Sequence, residues 1–301
     1  MHPILFTIPG VDIPLRSFGL MVVLGFLLGS HFMTRWGTSS SADPEREGLG
    51  YQSIPVWVMA GVVLGARLMY VIVEVAGGTD VGKGFTSDPL SILFVWQGGL
   101  VMYGGAFGGI LGGWLCCRKY GIPIPHATDL GLVAGILGLS IGRIGCLLVG
   151  DDFGQIAAEA HKNLPFPIVV KVPEVLPPGS LFGQENAGQI LYATQPWMTL
   201  NALALVLLGR FVLLPARRYP GQVAAQMLLL YSIGRYTIET YRGDAIRGMW
   251  FDDTFSTSQL VSIAVFIVTL TFLIIRRKSA RGRPALAPPE EARPATQSGL
   301  D

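Results

Sequence analysis

Residues 138–154, GLSIGRIGCLLVGDDFG, place a single arginine inside a run of apolar residues. The apolar segment around Arg143, from about Asp129 to Val149, is as long as the roughly 20 residues that cross a bilayer. A guanidinium stays charged in proteins, and an arginine at the centre of a membrane helix costs about 2.5–3.5 kcal/mol or more. The sequence therefore predicts that Arg143 has a partner or a ligand that offsets this cost.

The whole chain has the composition of a membrane protein. Its 301 residues are 50% hydrophobic and 14% charged, with a mean hydropathy of +0.50, whereas soluble domains carry about 25% charged residues. The formal net charge of +2 gives no indication of a nucleic-acid partner. Cys116, Cys117 and Cys146 lack the spacing of metal ligands. We therefore expect neither a metal site nor a cofactor.

Apolar stretches long enough to cross a membrane recur along the chain. They predict seven spans, at roughly 17–34, 54–76, 91–116, 128–149, 198–214, 222–240 and 258–275. The fifth is the weakest, because it is short and carries Arg210 near its end. The expected fold is an all-α integral membrane protein with one polytopic domain over residues 1–276.

The distribution of Lys and Arg between the loops predicts the orientation. If the C-terminus is cytoplasmic, the inside segments carry 12 Lys and Arg and the outside segments 6. This bias predicts a periplasmic N-terminus. Residues 150–197 then form a long periplasmic loop or cap with a short β-like run. Residues 277–301, rich in Pro, Ala and charge, are expected to be a disordered cytoplasmic tail.

Four arginines are predicted to converge near the outer surface. At 1.5 Å per residue, Arg143 and Arg235 lie roughly 9 and 8 Å below it, Arg67 lies deeper, and Arg16 is at the mouth of the first span. A structural alternative is pairing, since Glu239 follows Arg235 by four residues on one helix face. Asp151 and Asp152 likewise lie just beyond Arg143, at the interface. The convergence of all four favours a site. Because the arginine fork binds two phosphate oxygens at once, the expected ligand is a phospholipid headgroup.

The third predicted span contains two glycine ridges, at 104, 108 and 112 and at 105, 109 and 113. Small residues at a spacing of four allow two helices to approach closely. Tyr103 precedes these ridges and is expected near mid-depth, where its hydroxyl needs a partner.

Several segments in order resemble the prolipoprotein diacylglyceryl transferase family of the bacterial inner membrane. The segment at 142–154 resembles the family motif GRxGNFxNGExxG, and YSIGRYTIETYRGD at 231–244 resembles YGxxRFxxExxRxxD. PLRSFGLMVVLGF, GARLMYVI at 65–72 and QGGLVMYGG at 97–105 resemble the patterns of the first three spans. The resemblance covers residues 11–275 and identifies the chain as a divergent member.

The resemblance implies a reaction. The family moves the diacylglyceryl group of phosphatidylglycerol to the lipobox cysteine thiol of a prolipoprotein, next to its signal peptide, and releases glycerol 1-phosphate. The implied catalytic residues are Arg143, Arg235 and Tyr103. The implied substrate-binding residues are Arg143, Gly142, Gly145, Cys146, Asp151, Gly154, Arg16, Phe18, Arg67, Gly98, Gly99, Gly104, Glu239 and Arg242.

The chain also departs from the family pattern. Tyr103 stands where the family has a His, Cys146 replaces an Asn, Asp151 a Glu and Phe18 a Tyr, and YATQPWM at 192–198 keeps little of HPxQLYE. These departures leave two alternatives open beside the transferase. One is a paralogue that binds phospholipid without the standard transfer, and the other is a small membrane transporter, although paired repeats of broken spans were not found.

Overall fold

The computed structural model describes residues 1–8, 13–41, 43, 45–95, 98–244, 248–252 and 254–280. Eight α-helices lie within these residues: α1 Ser17–Ser39, α2 Arg46–Ala76, α3 Asp80–Ser87, α4 Met102–Tyr120, α5 Ile124–Val149, α6 Thr194–Leu208, α7 Gln222–Glu239 and α8 Thr257–Ala280. Six short strands form three antiparallel pairs: β1 Ile4–Ile8 with β2 Ile13–Arg16, β3 Val169–Lys171 with β4 Ile190–Tyr192, and β5 Met249–Trp250 with β6 Phe255–Ser256. The protein is mostly helical, as predicted, and the small hairpins were not anticipated except in the 150–197 loop.

Five helical segments are long and apolar enough to cross a membrane: Ser17–Ser39, Arg46–Ala76, Ile124–Val149, Thr194–Leu213 and Thr257–Arg277. The fourth includes a π-helical turn, Gly209–Leu213, that continues α6. These segments are those of a multi-pass membrane protein. Helices α4 and α7 coincide with two further predicted spans but are less apolar, because α4 is rich in glycine and α7 carries Arg235 and Glu239.

The predicted span 91–116 is wrong at its beginning. A 3₁₀ turn covers Pro89–Leu93, and α4 begins only at Met102. Gly98 and Gly99 have φ angles of +90° and +71°, a region that glycine enters without steric cost, so the chain turns here. Tyr103 is consequently the second residue of α4 and 45% exposed. Its predicted place near mid-depth of the membrane stays a prediction.

The chain forms two compact units, one built from Met1–Phe32 and the residues from Thr128 onward, the other from Met33–Ala127. In the second unit, α2 packs closely on α4. A Cβ atom added to Gly108 would overlap the Gly61 carbonyl, and one added to Gly104 would overlap the Gly65 carbonyl. The predicted close approach along the glycine ridges is confirmed, with glycines of α2 as the partners.

The first unit joins the beginnings of α5 and α7 through one buried carboxylate. Asp129 is fully buried and accepts hydrogen bonds from the backbone N–H groups of Gly221 (2.9 Å) and Ala224 (2.8 Å). The Arg217 guanidinium lies 3.8 Å from the same carboxylate. Since the first N–H groups of a helix have no partner within the helix, a side chain of α5 completes the start of α7.

Residues between α5 and α6 form a small folded segment. Val172, Phe182 and Leu191 are fully buried together, and β3 pairs with β4, which confirms the short β run predicted inside residues 150–197. Helix α6 begins at Thr194, four residues before the predicted span. At the other end of the chain, α8 continues to Ala280, and residues 281–301 of the predicted tail lie outside the described residues.

Candidate active site

Arg143, near the end of α5, is paired with a carboxylate just beyond that helix. Its Nη1 donates a hydrogen bond to Asp152 Oδ2 and lies 3.8 Å from Cys146 Sγ. Among the described residues, its Nε and Nη2 have no hydrogen-bond partner. These two nitrogens form one edge of the guanidinium, and an edge of this kind binds two oxygens of a phosphate.

The backbone around Asp152 is held by the start of α6. Thr194 Oγ1 donates to the Asp152 carbonyl, and Gln195 Nε2 donates to the Asp151 carbonyl, each at 2.8 Å. Both side chains are fully buried. Asp152 itself has a left-handed φ of +53°, a conformation that a non-glycine residue rarely adopts and that Asp tolerates better than most. Thr194 and Gln195, both in the 192–198 segment, therefore fix the turn that carries Asp152.

Arg242, which follows α7, is the most fully paired arginine of the cluster. Its Nη2 lies 2.6 Å from Asp152 Oδ1, its Nε donates to Asp244 Oδ1 at 2.8 Å, and its Nη1 lies 3.5 Å from Glu239 Oε2. Gly154 and Arg242 also form an antiparallel backbone bridge. Because every guanidinium nitrogen of Arg242 already has a carboxylate, we assign it a structural role in the cluster.

Arg235 makes the ion pair that its spacing predicts. Its Nη2 lies 2.8 Å from Glu239 Oε2 and donates to Ser258 Oγ of α8 at 2.9 Å. Its Nη1 is 3.8 Å from Met198 Sδ. Glu239, which is 1% exposed, thus contacts both Arg235 and Arg242.

The cluster is close to electrically balanced. Arg143, Arg235 and Arg242 face the carboxylates of Asp152, Glu239 and Asp244. Burial alone would raise the pKa of Asp152, but the charges of Arg143 and Arg242 outweigh burial and hold that pKa below its usual value. Burial, followed by the charge of Asp152, raises the pKa of the adjacent Asp151. Of the two neighbouring aspartates, Asp152 therefore ionises more readily than Asp151.

The predicted glycines around Arg143 have different surroundings. A Cβ on Gly142 would have open space within 4 Å, whereas one on Gly145 would lie 3.3 Å from Phe18 Cα of α1. A Cβ on Gly154 would overlap the Tyr192 carbonyl. Gly145 and Gly154 therefore permit close backbone packing, whereas no close packing requires a glycine at position 142. Arg16, at the end of β2, is exposed.

Five predicted site residues, Arg67, Gly98, Gly99, Tyr103 and Gly104, belong to the second unit. Arg67 is 6% exposed, and its Nε, Nη1 and Nη2 donate to the carbonyls of Ile92, Gly98 and Ser91 at 2.8, 2.7 and 2.9 Å. Its guanidinium also faces the Phe85 and Tyr70 rings. The loop that precedes α4 is therefore organised around Arg67.

The structure thus brings together Arg143, Cys146, Arg235, Glu239 and Arg242 in the first unit, and adds four residues that are not among the predicted site residues. These are Asp152, Asp244, Thr194 and Gln195. A signal existed for two of them. Asp152 is adjacent to the selected Asp151, and Asp244 belongs to the motif of the sixth predicted span.

Comparisons with known proteins show which family the chain belongs to. A family model described as prolipoprotein diacylglyceryl transferase matches residues 3–275. The chain is 30% identical over 282 residues to the phosphatidylglycerol–prolipoprotein diacylglyceryl transferase of Gloeobacter violaceus, covering 93% of this chain and 94% of the relative. The proteins of the same name from Rhodospirillum rubrum and Geobacter sulfurreducens are 27% and 28% identical, covering 91% and 92% of this chain and 91% and 97% of the relatives. The chain belongs to the prolipoprotein diacylglyceryl transferase family.

Proposed function

We propose that this protein transfers the diacylglyceryl group of phosphatidylglycerol to the lipobox cysteine thiol of prolipoproteins and releases glycerol 1-phosphate. The names of its relatives state this type of transfer. The observation in the structure that carries the proposal is the open Nε–Nη2 edge of Arg143 inside a cluster that otherwise pairs its charges.

The proposed architecture has seven membrane spans, with α4 and α7 added to the five most apolar segments. The N-terminus is periplasmic and the C-terminus cytoplasmic, in the bacterial inner membrane. The excess of Lys and Arg in the loops assigned to the inside supports this orientation. Residues 150–197 then lie at the periplasmic surface, where a lipoprotein precursor presents its cysteine.

In the proposed reaction, the thiol sulfur attacks the carbon of the diacylglyceryl group that is bonded to the phosphate oxygen. A carbon–sulfur bond forms, the carbon–oxygen bond breaks, and its electron pair leaves with the phosphate. The thiol loses its proton, which passes to solvent water, because the thiolate is the better nucleophile. Arg143 stabilises the second negative charge that develops on the departing phosphate, which is the kind of interaction that lowers such barriers most.

The lipid tails have a matching surface beside Arg235. A cavity of about 270 Å³ lies between α7 and α8 and is lined largely by apolar atoms, with Ile233, Tyr236 and Phe266 among its walls. Its lining includes Tyr236, which follows Arg235 in α7, and Ser262, which lies one turn after Ser258 in α8. We propose that an acyl chain occupies this cavity while the headgroup is held by the arginine cluster.

The test is complementation in a bacterial host depleted of its own transferase. The chain is supplied as wild type, as Arg143→Gln, and as Arg118→Gln, which makes the same chemical change at an exposed helix end. We expect the wild type and Arg118→Gln to add the diacylglyceryl mass to a precursor lipoprotein, and Arg143→Gln to fail.

Correct membrane insertion of the wild type without any mass addition would overturn the proposal. Phosphatidylglycerol binding in that case would support the paralogue that binds lipid without transferring it.

A further inference from the structure

We propose that Asp152 is the positioning residue of Arg143, holding one edge of its guanidinium so that the other edge meets the lipid phosphate. The inference rests on the proposed function and deepens it. It gives an ionic role to Asp152, whereas the residue at the position of the family's Glu is the preceding Asp151.

Both oxygens of the Asp152 carboxylate are occupied by arginines. Oδ2 accepts from Arg143, and Oδ1 lies 2.6 Å from Arg242 Nη2. Arg242 is fixed in turn by Asp244 and Glu239. A carboxylate anchored to an immobilised arginine leaves Arg143 little freedom to rotate, and pre-oriented donors are the ones that stabilise a developing charge most effectively.

The backbone of Asp152 is equally constrained. Its carbonyl accepts from Thr194, and its N–H donates to Asp151 Oδ1 at 2.9 Å. Asp151 forms no ion pair with the part of the chain that the structure describes. The two aspartates therefore have separate tasks. Asp151 accepts a hydrogen bond within the turn, and Asp152 forms the ion pairs with the arginines of the cluster.

A permanent carboxylate in a phosphate site should speed the transfer step but weaken the binding of anions. It compensates the charge of Arg143 and orients its guanidinium when no lipid is present, since an unpaired buried charge is strongly disfavoured. It also repels a second anion, which weakens the hold on the released glycerol phosphate. Removal of the charge should therefore slow the transfer step and strengthen anion binding. A residue that only stabilised the fold would, when replaced, weaken both.

The experiment compares Asp152→Asn, Asp152→Glu and Asp151→Asn in the full-length protein in lipid nanodiscs. For each variant, kcat and KM for phosphatidylglycerol and the inhibition constant of added glycerol 1-phosphate are measured. For Asp152→Asn we expect kcat to fall about tenfold or more and glycerol 1-phosphate to inhibit about tenfold more tightly, since one unit charge a few ångströms away has been removed.

The other two variants separate charge from placement. Asp152→Glu keeps the charge but displaces it, so kcat should fall while the inhibition constant stays near the wild-type value. Asp151→Asn removes the same charge one residue away from the ion pairs and should change both quantities less than Asp152→Asn does.

Weaker anion inhibition in Asp152→Asn, or equal effects of Asp151→Asn and Asp152→Asn, would overturn the inference. Calorimetric titration of the same proteins with glycerol 1-phosphate keeps this test separate from the proposed function. A wild type that binds glycerol 1-phosphate without transferring lipid would refute the transfer alone. Tighter calorimetric binding by Asp152→Asn would then still support the placement of Asp152, and weaker or unchanged binding would refute it.

Discussion

Arg67 and Arg143 look alike in the sequence, but their guanidiniums have different surroundings. Each is an arginine in an apolar helix, α2 or α5. All three nitrogens of Arg67 donate to loop carbonyls, and two aromatic rings face its guanidinium. Arg143 uses Nη1 alone for its carboxylate. The number of donors left without a protein partner, rather than burial, distinguishes an arginine that organises the chain from one that can receive a ligand.

The largest expected effect in this comparison is on transfer by Arg143→Gln. We expect activity to fall about 100-fold or more, because removing one donor from a developing oxyanion typically costs this much. The thermal midpoint in nanodiscs should change far less than the activity. Transfer within a few-fold of the wild type would show that the open edge of Arg143 has no part in the reaction.

Arg67→Gln should show the reverse pattern, with its main effect on stability. The loop carbonyls of Ser91, Ile92 and Gly98 would lose a charged donor, and we expect a loss of about 3 kcal/mol. Arg67→Lys should restore little of it, because one ammonium group cannot reproduce the planar fork. Thermal unfolding monitored by tryptophan fluorescence would measure the loss of stability, and limited proteolysis would show whether residues 88–101 become more accessible. A stable Arg67→Gln protein with lost activity would reverse the assignment.

The neighbouring aspartates should respond oppositely to pH. The lowered pKa of Asp152 means that its charged form stabilises the folded protein. That contribution is complete above the ordinary Asp pKa of about 3.9 and is lost as the pH falls through the lower folded value. At pH 7, Asp152→Asn should therefore lower stability by about 3 kcal/mol, and its difference from the wild type should shrink in acid.

Ionisation of Asp151 has the opposite effect on the stability of the folded protein. Its raised pKa means that ionisation opposes folding, a cost that is full above the raised value and absent below the ordinary one. Asp151→Asn should therefore raise the thermal midpoint slightly at pH 7 and leave it unchanged near pH 3. Midpoints of both variants between pH 3 and 7 provide the measurement. A parallel response of the two variants would contradict the separate tasks assigned to these residues.

The smallest effect is expected for Tyr103→Phe. Tyr103 lies at the start of α4 and is 45% exposed, so removal of its hydroxyl should leave stability unchanged. If the hydroxyl takes part in transfer, as the position of the family's His implies, we expect turnover to fall a few-fold to about tenfold. This loss is smaller than the one expected when a general acid or base is removed. Unchanged turnover would remove Tyr103 from the catalytic residues.

Much of the helical framework followed from apolar length alone. The predicted spans overlap α1, α2, α5 and α8 because each contains a long, mainly apolar run. The pairing of Arg235 with Glu239 followed from helical geometry, since residues four apart share a face. The beginning of α4 was missed because hydropathy does not register the positive φ angles of Gly98 and Gly99.

The choice between Asp151 and Asp152 could not be made from the sequence. Both follow Arg143 closely, and motif alignment favoured the first. The left-handed turn at Asp152, together with hydrogen bonds from Thr194 and Gln195 about forty residues later, directs the second carboxylate to Arg143. Tertiary contacts of this range leave no local pattern. The sequence therefore indicated the arginines better than it indicated their partners.

The hydrogen bonds between Asp129 and the start of α7 have a consequence for Arg143 and Arg235, the two arginines predicted to bind the lipid phosphate. Arg143 follows Asp129 by fourteen positions, and Arg235 follows Gly221 by the same number. Counted from these hydrogen bonds, each helix therefore rises by about 21 Å before it reaches its arginine. A one-residue deletion in either helix between these points would rotate its arginine by about 100° and leave the other in place.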